Sequence, residues 1–100
     1  MTASALRQRL SRAIETFGDH CTVGSETRKA LVSRLSAADV AAYLTDAEAS
    51  TRPVFAALAV HDDPTDVDDT VTWASGTYTV VKTVESRYRG QVVARILVWR

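Results

Sequence analysis

Apolar residues recur along this chain with two different periods, and the change of period divides it. Over residues 3–17, Leu6, Leu10, Ala13, Ile14 and Phe17 fall at intervals of three and four, which is one stripe of an amphipathic helix. Thr2 or Ser4 can cap its start, and Gly18 stands where a left-handed C-terminal residue is favoured. From Asp69 to Arg100 the period is two. Three runs rich in β-branched and aromatic residues (69–73, 77–85 and 91–100) are separated by Ala74-Ser75-Gly76 and by Ser86-Arg87-Tyr88-Arg89-Gly90. That pattern predicts a three-stranded antiparallel meander. Alternation sets Val71 and Trp73 on one face of its first strand, and Tyr78, Val80 and Val84 on one face of its second.

The last strand departs from simple alternation. Val92, Ala94, Ile96 and Val98 point one way, and Val93, Leu97 and Trp99 point the other. Both faces are apolar. One can cover the core, and the other needs a helix, a second sheet or another subunit.

Between the helix and the meander the pattern is weaker. His20–Val23 and Thr27–Leu35 are strand candidates around a turn at Gly24-Ser25-Glu26, with Ala30 and Val32 carried by the second. Ser36 to Glu48 supports two readings. Ser36 with Asp39 resembles a capping box, and Val40, Tyr43, Leu44 and Ala47 have helical spacing, yet the segment also suits a long loop with a transient helix. The stretch Ala49 to Pro53 ends whatever precedes it. Val54 to Val60 predicts a strand packed on both faces, and His61 to Asp69 is a turn-rich acidic loop punctuated by Pro64. The fold class expected is mainly β with one N-terminal helix. It occupies one domain spanning 1–100 and carries a long loop or short helix at 36–53.

Composition changes this picture little. A hundred residues, 46% hydrophobic and 24% charged, suit a globular domain with one modest core. Formal net charge is zero, so no global field points to a polyanionic partner. Locally, residues 53–69 hold five acids (Asp62, Asp63, Asp66, Asp68 and Asp69) and no Lys or Arg. Residues 70–100 hold Lys82, Arg87, Arg89, Arg95 and Arg100 against Glu85 alone, a net of +4. Either these are solvated loops and strand edges, or the molecule carries opposite charge at opposite ends, suited to stacking. Arg7, Arg9 and Arg12 lie off the helix stripe. Early cations work weakly against the helix dipole, which leaves solvation or contact with phosphate or a neighbouring subunit to explain them.

Cys21 is the only cysteine, so no internal disulfide can form and a reducing compartment is expected. Arginines interrupt the first twenty residues, which excludes the apolar centre of a signal peptide there. The longest apolar run, Val54–Val60, is far short of the roughly 20 residues a membrane span needs.

No constellation carries chemistry. Counted from Asp62 or from Asp66, the twelfth position of a calcium loop would be Trp73 or Thr77, and no Gly lies inside the loop. His20, Cys21 and His61 lack paired zinc spacing and a fourth ligand. Ser25 follows Gly24 without a second Gly two residues on, and the four glycines stand apart, which excludes a nucleophile elbow and a phosphate-cradling loop. Tyr78, Lys82, Tyr88 and Arg89 only faintly interleave aromatic with base as a nucleic-acid-binding sheet would, and Tyr78 suits a core position. An enzyme is not expected, nor a cofactor.

Several phrases resemble the head-completion, or head-to-tail stopper, proteins of long-tailed bacteriophages. They are Thr51-Arg52-Pro53-Val54-Phe55, Asp69-Thr70-Val71-Thr72-Trp73, Gly76-Thr77-Tyr78-Thr79-Val80-Val81 and the ending Leu97-Val98-Trp99-Arg100. Asp68 stands where that family often has Gly before Asp-Thr-Val. The likeness covers nearly the whole chain by layout, and specific phrases from about residue 51. It implies a small antiparallel β-barrel over about 20–100, flanked by the helix, with 36–53 as a long flexible loop. It also implies a structural virion protein, made in the host cytoplasm, that forms a homo-oligomeric ring closing the DNA-filled capsid and offering a tail attachment surface. A portal or adaptor ring would lie on the capsid side, a tail terminator or tail tube on the other, with packaged DNA near the channel and no membrane involved. The interface candidates are then Leu97, Trp99, Arg100, Asp62, Asp66, Asp68, Tyr43 and Arg52, and the channel candidates Arg7, Arg9 and Arg12. The competing reading is a small β-barrel binding module outside any virion, taking nucleic acid or a peptide.

Overall fold

The computed structural model describes residues 1–43 and 53–100. Over them the chain is mainly β with one N-terminal helix. The elements are α1 (Ala3–Phe17), β1 (Asp19–Val23), β2 (Glu26–Arg34), α2 (Ala37–Tyr43), β3 (Phe55–Val60), β4 (Thr70–Trp73), β5 (Gly76–Tyr88) and β6 (Gln91–Trp99). The six strands close an antiparallel barrel in the order β1-β2-β3-β6-β5-β4. Since β3 pairs with β6 and not with β4, the 61–69 segment has to travel from one side of the barrel to the other.

Both hairpins of the meander turn on two residues in the left-handed region: Ala74 and Ser75 (φ 50° and 66°), and Arg89 and Gly90 (φ 51° and 78°). A pair of positive φ values matches the twist of the flanking strands. Only two residues are needed at the second turn, so β5 continues to Tyr88, beyond the Glu85 boundary expected from the break in pattern.

The alternation expected along β5 also fails partway. Val80 pairs with Trp99 and Lys82 with Val98, so Val81 is an extra residue in the ladder. One inserted residue exchanges the two faces of everything after it. Val84 therefore lies opposite Ile96 on the outer surface, and Thr83 lies opposite Leu97 instead. Tyr78 and Val80 stay on the core side.

Most of the two-sided last strand is covered within the chain. Leu97 and Trp99 face the interior, while Val98 packs outside it with Val54, Leu35, Val40, Val81 and Ile96. Val40 belongs to α2, and α1 lies over β6, β3 and β2. The helical reading of the ambiguous segment holds for 37–43. Ser36 Oγ accepts from the Asp39 amide at 3.2 Å and donates to its carboxylate at 2.9 Å, which closes the first turn. The rest of the segment expected to be loop or helix lies outside the described residues.

Thr2 is the cap of α1, accepting from Ala5 N at 3.0 Å. The stripe ends sooner than its spacing suggested: Ile14 is 2% exposed, but Phe17 is 75% exposed. Gly18 has a different reason from the one expected. Its φ is −71°, not left-handed. A Cβ there would stand 2.3 Å from Ile14 O and 3.1 Å from Ala30 O, so close backbone approach demands glycine. Asp68, by contrast, is left-handed (φ 75°), and that turn lets Asp68 N and Asp69 O bond Val80 at 2.8 and 2.9 Å before β4 begins.

Two expectations follow. Ile14→Ala should lower unfolding free energy by about 2–4 kcal/mol, and Phe17→Ser should change it by about 0.5 kcal/mol or less, as read from urea midpoints. Equal losses would show that Phe17 is packed. Asp68→Gly should hold or raise stability by up to about 1 kcal/mol and Asp68→Val lower it by about 1–2 kcal/mol, since only glycine adopts that backbone without strain. A destabilised Gly variant would mean that the Asp68 side chain, not the backbone, sets the turn.

Candidate interaction surfaces

A six-stranded barrel has a narrow interior, and much of its wall is small. Cys21, Ala30, Ala57, Ala59, Val71 and Val80 surround Leu97 and Trp99. Trp99 lies 6.2 Å from Trp73 and 6.5 Å from Tyr78, ring centre to ring centre, and Phe55 meets Trp73 edge-on at 4.9 Å. Four aromatic rings thus fill the half of the barrel where β3 begins and β6 ends. This corrects the expectation that Leu97 and Trp99 anchor a partner. They are 3% and 1% exposed, because their face of β6 is the one the barrel encloses, and neither can reach another molecule.

The other half is closed by the acidic loop. Asp63 and Thr65 are buried. Arg28 of β2 donates to Asp63 Oδ1 at 3.4 Å and to Thr65 Oγ1 at 2.7 Å. Arg95 of β6 donates to the carbonyls of Asp63 and Thr65, the latter at 2.8 Å. The sequence reading missed these four residues, although a signal was present. Arg28 alternates with Ala30 and Val32, and Arg95 with Leu97 and Trp99, so each is a cation on an inward-facing row and requires a partner. The contacts also alter the charge picture. Arg95 is one of the bases counted on the meander side, yet it holds the acidic loop through backbone carbonyls, so at that point the two charge groups meet inside one subunit.

The remaining candidates divide by exposure. Asp62, Asp66 and Asp68 are exposed on the outer side of the loop. Arg100 is half-buried and continues the ladder through its backbone, bonded to Thr79 in both directions. Arg7 is half-buried, with Nε and Nη2 donating to Val92 O at 3.2 and 2.7 Å; it ties α1 to β6 and does not point outward. Arg9 and Arg12 are exposed on α1. Tyr43 is the last residue of α2, and Arg52 lies outside the described residues.

Among the described residues an apolar groove lies on the outside of the barrel. Leu31, Leu58 and Ile96 lie side by side across β2, β3 and β6, and with Leu35, Ala56, Ser33 and Asp39 they line a groove of about 320 Å³. The Cys21 thiol is buried, donates weakly to Asp19 O at 3.7 Å, and is pushed up to about 11 by burial, with the charges of Asp19 and Asp63 adding to the effect. A thiol held in its neutral form is a poor nucleophile.

Among the described residues no group of three His, Cys, Asp or Glu could hold a metal ion. No helix among them is long and apolar enough to cross a membrane. Comparison with protein-family models, with curated proteins and with solved structures gives no match.

Proposed function

We propose that this chain is a structural virion protein, one subunit of a ring at the head-to-tail interface that closes the filled capsid and presents the surface to which a tail attaches. The observation that carries the reading is the backbone at Asp68. Resemblance to the stopper family places a glycine before Asp-Thr-Val, and the one position of this chain that departs from that phrase has φ 75°, the conformation for which glycine is the ordinary residue. Asp tolerates it better than most, so the departure keeps the turn.

Further support comes from where the other phrases fall. Pro53-Val54-Phe55 leads into β3, Thr70–Trp73 is β4, Gly76 opens β5, and Leu97–Trp99 ends β6. Gly76 and Tyr78 are physically coupled, since a Cβ on Gly76 would stand 2.7 Å from the Tyr78 hydroxyl. A helix-flanked barrel is what the resemblance implies.

In this reading the ring's partners are other copies of the chain, a portal or adaptor ring on the capsid side and a tail terminator or tail tube on the other, with packaged DNA passing through. Contact cannot come from Trp99 or Leu97. The surfaces on offer are the exposed acids Asp62, Asp66 and Asp68, the exposed Arg9 and Arg12, and the groove over Leu31, Leu58 and Ile96. Surface charge of this kind directs orientation and encounter, since isolated exposed pairs contribute about 0–1 kcal/mol.

The test is to add purified protein to DNA-filled capsids produced without it, supply tails, and count tailed particles. The protein should restore tails, and changing Asp62, Asp66 and Asp68 to Asn should reduce joining mainly at low salt. Particles that stay tailless, together with salt-dependent binding of the free protein to DNA in solution, would favour the competing binding-module reading.

A further inference from the structure

The thirteen residues of β5 have different neighbours in their two halves. Gly76 to Thr79 pair with β4, whereas Val80 to Tyr88 pair with β6. Asp68 and Asp69 extend the cover as far as Val80. Beyond it, among the described residues, no strand pairs with the second edge of β5 from Thr83 to Tyr88. The β5–β6 ladder has two irregularities, one between Val80 and Lys82 and the other between Ser86 and Arg87, inside this segment. The extra residue of one irregularity is Val81, which precedes it, and that of the other is Val93, which lies on β6. Bulges are one of the devices that blunt an open edge, and here neither inserted residue belongs to the open run. A row of N–H and C=O groups facing outward is a template for another strand.

The side chains decide which strand. Laid antiparallel on itself with Ser86 at the centre, Val84-Glu85-Ser86-Arg87-Tyr88 is self-complementary. Glu85 faces Arg87 of the second copy, Val84 faces Tyr88 of the second copy, and each pairing occurs twice. Opposite charges and an aromatic set against a β-branched residue are the favourable cross-strand pairs. Moving the centre one residue either way sets Glu85 against Glu85 or Arg87 against Arg87, which is repulsive, so both adjacent registers are disfavoured. Glu85 and Arg87 already form an ion pair at 2.5 Å with side chains 50% and 56% exposed. They lie on one face, at the surface, in reach of a facing strand.

The geometry points to a two-fold contact in which the β5 edges of two copies pair, Thr83 to Tyr88 against the same residues, making one sheet that runs through both molecules. Such a contact is isologous and closes at two. It is therefore separate from the head-to-tail contacts that build a ring, and it stands whether or not the ring reading does. Its effect on the free protein is to cover an edge that otherwise invites aggregation.

Sedimentation of the purified full chain over a concentration series tests this, with charge exchange as the diagnostic. Wild type should associate to a dimer. Arg87→Glu alone and Glu85→Lys alone should each weaken it by about tenfold, since attractive pairs become repulsive. The double exchange should restore it. Ser86→Cys should give an intermolecular disulfide on mild oxidation, with Cys21 buried and silent, whereas Thr79→Cys, on the covered half of β5, should not. Monomer at every concentration, or a dimer that the double exchange fails to restore, would overturn the proposal.

Discussion

The fold depends on fitting one indole inside a six-stranded barrel. A barrel of so few strands has a narrow interior, and side chains must alternate in size to fill it. Trp99 takes most of one half, and the wall answers with Ala30, Ala57, Ala59 and Cys21. Its indole N–H has no hydrogen-bond partner among the described residues, a cost of about 1–3 kcal/mol. Apolar burial and tilted ring contacts with Trp73 and Tyr78 have to exceed that cost. The register follows, because Trp99 is set opposite both Phe55 of β3 and Val80 of β5. A one-residue slip in either pairing would send the indole into solvent.

The opposite half is closed by polar contacts. Since β3 and β4 are not neighbours in the sheet, the chain between them crosses the barrel, and its buried carbonyls need donors. Arg28 and Arg95 supply them. Part of the charge that looked available for stacking is thus used in closing the subunit. Interaction with other molecules falls to what both closures leave outside: the groove, the exposed acids and the open edge of β5.

Much of this was legible in the chain. The bounds of α1, the meander and the mainly β character follow from period and turn residues, while closure into a helix-flanked barrel came only from the resemblance. The faces of β6 were also separable, but alternation says which residues share a face and not which face is enclosed. With both rows apolar, Leu97 and Trp99 fell on the wrong side. Val81 was illegible for a related reason: an inserted residue leaves the apolar pattern intact while reversing its meaning. Phe17 kept helical spacing past the point where α1 has anything beneath it. Asp63 and Thr65 looked like ordinary loop residues, and only the inward arginines on two strands hinted that the loop is drawn into the fold.

The enclosure of Trp99 is the claim on which the rest stands, and chemical unfolding of Trp99→Ala measures it directly. Removing a buried indole should lower unfolding free energy by about 3–5 kcal/mol. Trp99→Phe provides a variant that stays folded and should lose less. A Trp99→Ala protein within about 0.5 kcal/mol of wild type, the range of an ordinary surface change, would contradict the account and return Trp99 to the outside of the molecule.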